Sequence, residues 1–178
     1  MRLGSVFAGL AITLTGISAA GGEHLTAAAI SDSVGRIGAE ATIAKLWGTT
    51  DWRRMENHIA RGEVAWIALV PKLAAGADGA AAEDLGIDLA EALPNNPLAV
   101  LRVIDVQDRS PILGPSRVCG IPFIEPQPGV VDRNRRKALT AVSAVRGGRL
   151  FKVRQDCLSA LRQGSDRRGD LAARSPRH

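Results

Sequence analysis

The sequence predicts an all-α protein: an irregular bundle or short solenoid-like array of six to seven short helices, with a Pro-rich connector and one disulfide. Three observations carry this. Apolar residues recur at three- and four-residue spacing through most of the chain. Five prolines, Pro111, Pro115, Pro122, Pro126 and Pro128, crowd into the 23 residues from Gln107 to Gly129. The only two cysteines are Cys119 and Cys157.

The chain opens MRLGSVFAGLAITLTGISAAGG, with a basic start at Arg2, an uncharged run and small residues at Ser18 and Ala20. This is the plan of a secretory signal peptide, expected to span residues 1–20. The competing reading is a retained anchor, because residues 3–20 are uncharged and near the lower length for spanning a bilayer. After cleavage no further hydrophobic run is long enough to span. The expected location is the periplasm or the extracellular space. An oxidising compartment would join Cys119 to Cys157, since no other pairing exists.

Ile30, Val34, Ile37, Ala41 and Ala44 predict one amphipathic helix over about 26–47, despite Gly35 and Gly38. Thr50 or Asp51 then caps a helix with Trp52, Met55 and Ile59 on one face and Gly62 as its stop. The three tryptophans, with Trp47 and Trp66, can serve one core; a Trp-lined ligand pocket is the alternative. Val64, Ile67, Val70 and Leu73 form the next stripe, divided or kinked by Pro71. Asp78 opens a helix bearing Leu85, Leu89 and Leu93, which Pro94 ends. Asn96 followed by Pro97 is the clearest boundary, a capping side chain before a proline at the first helical position. Leu98, Leu101 and Ile104 are expected to face inward.

The stretch from Gln107 to Gly129 is too dense in proline for a regular helix and reads as an extended connector. Its apolar part, Ile121 to Ile124, could sink inward like a short strand. Asp132 then opens a helix with Val131, Ala138, Leu139, Val142 and Val145 inward, closed by Gly147 and Gly148. Leu150, Val153, Cys157 and Leu161 define the last helix, with Cys157 on its apolar face. One folded domain is therefore expected over residues 21–164, followed by a disordered basic tail over 165–178.

Charge divides the chain. Residues 21–132 carry 15 acidic and 9 basic side chains, whereas residues 133–178 carry 13 basic and 3 acidic ones. Arg133, Arg135, Arg136, Lys137, Arg146, Arg149, Lys152 and Arg154 are the candidate surface for a polyanion or a partner. Phospholipid headgroups, an envelope protein or an anionic cell-wall polymer fit such a surface. Nucleic acid fits poorly, since only Phe151 interleaves with the arginines and no binding motif is present. Arg outnumbers Lys 19 to 4, which Ala-rich, GC-biased coding explains better than phosphate recognition, so no function is read from the ratio.

Motifs for chemistry are missing: no H-E-x-x-H, no C-x-x-C, no G-x-x-x-x-G-K-[ST] and no G-x-S-x-G occurs. No metal, cofactor or catalytic residue is assigned. His58 reads as a boundary residue. The expected role is a non-catalytic binding or interaction module of the cell envelope, expected to be a monomer. The alternative is a cell-wall-acting hydrolase or lytic enzyme using a helical carboxylate, with Glu56, Glu63 and Glu83 as nominal candidates. Few aromatics and no Tyr argue against a sugar cleft.

Overall fold

A computed structural model describes residues 25–107, 109–110, 112–123 and 129–173, with side-chain surroundings as far as residue 163. The expected signal peptide and residues 174–178 lie outside the described residues. Among those described, every regular element is helical.

Thr26 caps α1 (Ala27–Ile37), its hydroxyl accepting from the Ala29 amide at 3.1 Å. The predicted single helix over 26–47 is instead two, because Gly38 takes φ +86° and turns the chain into α2 (Ala39–Leu46). Thr42 ties the corner, donating to the Gly38 carbonyl at 2.7 Å. Thr49, one residue earlier than predicted, caps α3 (Thr50–Ala60) through the Trp52 amide. Trp52, Met55 and Ile59 are buried as their stripe requires. Pro71 marks a division: α4 (Val64–Ile67) stops before it and α5 (Val70–Ala74) carries it in the first turn.

The central helix is α6 (Gly79–Ala92), which packs against α3 and α5. Asp78 sits at its N-cap position without a side-chain capping bond. Asn95 and Asn96 then lock a corner. Asn96 accepts from the Ala99 amide to cap α7 (Pro97–Val103) and donates to the Gly62 carbonyl at 2.8 Å, while Asn95 donates to the Ala60 carbonyl at 2.9 Å. The conspicuous Leu-Pro-Asn-Asn-Pro run thus satisfies carbonyls at the end of α3, groups left open by any helix terminus.

The proline-rich connector is not wholly extended. Pro115, at a first-turn position suited to its fixed φ, starts a short helix α8 (Pro115–Cys119) that packs on α6. Ile121 is buried as expected, at positive φ of 59° and outside any strand; Ile124 lies outside the described residues. Gly129, in the left-handed region, opens α9 (Val130–Ala144). After a 3-10 turn at Gly148–Leu150 comes α10 (Phe151–Ala173), whose backbone runs past Gly164, where the sequence predicts a tail. Cys157 on α10 is bonded to Cys119 on α8, with Cα atoms 5.3 Å apart. The bond fastens the connector to the last helix, which also packs along α9.

Among the described residues no helix is long and apolar enough to cross a membrane.

Candidate functional site

The basic third does not form one uniform surface. Arg135 is only 5% exposed and its guanidinium reaches Asp132 at 3.4 Å, so it belongs to the packing of α9 rather than to an outer face. Lys152 pairs with Asp156 at 2.7 Å. Arg154 donates to the Val145 carbonyl at 2.7 Å and lies over the Phe151 ring, 5.8 Å from its centroid. Arg133, Arg136 and Lys137 face out along α9. There they line two shallow clefts against Pro94 and Asn95, one of which also holds Glu91, Phe123 and Asn134.

The two remaining candidates, Arg146 and Arg149, converge. They flank Gly147 and Gly148 at the turn between α9 and α10, and face Leu98 and Arg102 of α7 across an open cleft of about 760 Å³. Gly147 takes φ +118°, which lets the chain reverse sharply here. Arg146 is steadied by donating to the Ser143 carbonyl at 2.9 Å. Among the described residues no carboxylate forms an ion pair with Arg102, Arg146 or Arg149. Three guanidinium groups around one concavity repel each other, and that repulsion is relieved when an anion sits between them.

Arg102 is absent from the candidates that the sequence yields, because an inward Leu98 would not leave it beside an outer apolar residue. In the structure Leu98 is 39% exposed, and Ala99, Val100 and Leu101 carry the buried face. Leu98 and Arg102 are four residues apart and so share the outer face of α7. That spacing is the available signal.

The carboxylates nominated for catalysis are scattered. Glu63 contacts His58 at 2.7 Å, and the His58 ring stacks on Trp66 with centroids 4.7 Å apart. None of Glu56, Glu63 and Glu83 lines the arginine cleft or the two clefts beside Pro94 and Asn95. Glu56 accepts from the Trp52 indole at 2.7 Å and faces Asp84 of α6. Burial, reinforced by the hydrogen bond and charge of Asp84, pushes Glu56 up to about 7, against the pull of Trp52 and Arg53.

Asp88, one turn along α6, is only 8% exposed and its Oδ2 has no hydrogen-bond partner among the described residues. Burial, then the charges of Glu56, Glu91 and Asp84, pushes it up to about 8. Burial also raises Glu91. Asp84, Asp88 and Glu91 recur at i, i+4 and i+7, so their common face is legible in the sequence; its meeting with Glu56 is not. Glu56 holds its proton in a range suited to general acid chemistry. However, the clefts described above are not lined by it, nor is the one between α2 and the start of α6, which includes Trp47 and Ala81. Among the described residues no group of three His, Cys, Asp or Glu side chains is placed to hold a metal ion.

No known protein family, characterised protein or solved structure matches this chain.

Proposed function

We propose that this chain is a non-catalytic binding module of the cell envelope, an exported, monomeric irregular bundle that holds an anionic group of its partner between Arg102, Arg146 and Arg149. The observation that carries the reading is the convergence of three arginines without carboxylate partners, among the described residues, on one open cleft. The disulfide supports an oxidising compartment as the place of action. Arginine suits the role, because its planar fork binds phosphate or carboxylate through two parallel hydrogen bonds.

Binding of polyphosphate, a soluble probe, tests the reading. The triple variant Arg102→Gln/Arg146→Gln/Arg149→Gln is compared with Arg133→Gln/Arg136→Gln/Lys137→Gln, which removes as much charge from the outer face of α9. The first is expected to weaken binding at least about tenfold, with affinity falling as salt rises. Equal losses in both variants would reduce the cleft to general charge and overturn the assignment.

A second reading, a lytic enzyme using Glu56 as its acid, is favoured by the proton that Glu56 retains near neutrality. Peptidoglycan hydrolysis abolished by Glu56→Gln would select it instead.

A further inference from the structure

Polar groups alone do not account for the cleft. Its walls include Leu98 and Leu150 beside the three arginines, and the residue after Leu150 is Phe151, 57% exposed. Phe151 is the first residue of α10 and has Arg154 on its ring. A leucine in the wall of the cationic concavity and an aromatic ring one residue beyond that wall are thus both exposed to water. A soluble polyanion would engage the arginines and leave both apolar side chains where they are. An anionic lipid surface engages both sets, since its phosphates meet the guanidinium groups and its acyl boundary takes the ring and the leucine.

We infer that the partner of this cleft is an anionic phospholipid surface, bound peripherally, with Arg102, Arg146 and Arg149 on the headgroups and Phe151 and Leu98 entering the boundary below them. The inference rests on the anion-binding reading above and adds the class of ligand. Arg154, held by the Val145 carbonyl at 2.7 Å, backs the ring from the protein side and leaves the headgroup contacts to the three cleft arginines.

The test is co-sedimentation of the full chain with vesicles of phosphatidylglycerol and phosphatidylcholine, against vesicles of phosphatidylcholine alone. The quantity read is the excess bound by the anionic vesicles, because the apolar segment over residues 3–20 is common to every sample and does not discriminate lipid charge. Phe151→Ser is expected to lower that excess about tenfold, in keeping with the apolar area it withdraws, while leaving polyphosphate binding unchanged. The arginine triple variant is expected to lower the excess at least about tenfold and to weaken polyphosphate binding as well.

An excess that Phe151→Ser leaves intact overturns the lipid assignment. So does polyphosphate binding through the arginines with no excess on anionic vesicles, in which case the anion-binding reading stands alone. Binding to neither probe defeats both. Phe151 is exposed, so its variant is expected to keep the fold. Retention of the Cys119–Cys157 bond and an unchanged helical circular dichroism spectrum check this in the same preparation.

Discussion

Replacing Asp88 by asparagine should make this protein more stable at neutral pH. Asp88 is buried in the seam between α3 and α6, lacks a partner for Oδ2 among the described residues, and faces Glu56, Asp84 and Glu91. Its carboxyl is pushed from the usual 3.8 up to about 8. The folded state therefore binds this proton more tightly than the unfolded chain does. Stability from this group is full below about pH 4 and is lost as pH rises through about 8. Each pH unit across that interval is worth about 1.4 kcal/mol, so by pH 7 the loss reaches about 4 kcal/mol if nothing relaxes.

Relaxation of the seam and entry of water would reduce this to about 2 kcal/mol. An asparagine side chain has nearly the same shape as the aspartate it replaces and cannot ionise, and its amide can donate to a neighbouring carboxylate. Urea unfolding of the wild type and of Asp88→Asn, from about pH 4.5 to 8.5, provides the assay. The two should differ little at the acid end and diverge as pH rises, with the variant ahead by about 2 kcal/mol near pH 7.5. Parallel profiles, or a variant less stable above neutrality, would refute the account of the seam.

Three further perturbations have defined outcomes. Replacing Cys119 and Cys157 by Ser should cost about 4 kcal/mol from the loop-entropy relation for the 38-residue separation, read by denaturant unfolding of the oxidised wild type against the variant. Asn96→Ala removes both the cap on α7 and the link to the Gly62 carbonyl, and should cost about 2 kcal/mol in the same assay, whereas Leu98→Ala on the outer face of α7 should cost less than about 1 kcal/mol. Gly76→Ala should destabilise by about 2 kcal/mol or more in that assay, because its Cβ would be driven into the backbone of Ala39 and Glu40, which cannot step aside as a flexible side chain can.

Local signals are legible in the sequence and tertiary ones less so. The Asn96–Pro97 start, the stop at Gly62, the division at Pro71 and the pairing of the two cysteines each follow from the chemistry of one or two residues. Gly38 reads as a tolerated helix glycine because the apolar stripe runs on through it; only the packing of α1 against α2 requires the turn. Pro115 adds to the proline density of an extended connector, although a proline at a first helical position starts a helix as readily as a proline elsewhere ends one.

The site divides in the same way. Arg146 and Arg149 are visible because they flank a glycine pair in a basic stretch. Arg102, 44 residues before Arg146, lies in the acidic part of the chain. Its membership depends on α7 packing beside α9. Arg135 belongs to the surface by its charge alone, yet its position in the helical period, three before Ala138 and seven before Val142, places it on the buried face. Composition locates the charge, and helix phase decides which arginines face the cleft.

The most direct test of the cleft as the binding site is the change in backbone amide chemical shifts when polyphosphate is titrated into isotopically labelled protein. Shifts are expected to concentrate at Arg102 and across Arg146–Leu150. Shifts confined to Arg133–Lys137, or spread evenly over the basic helices, would contradict the assignment.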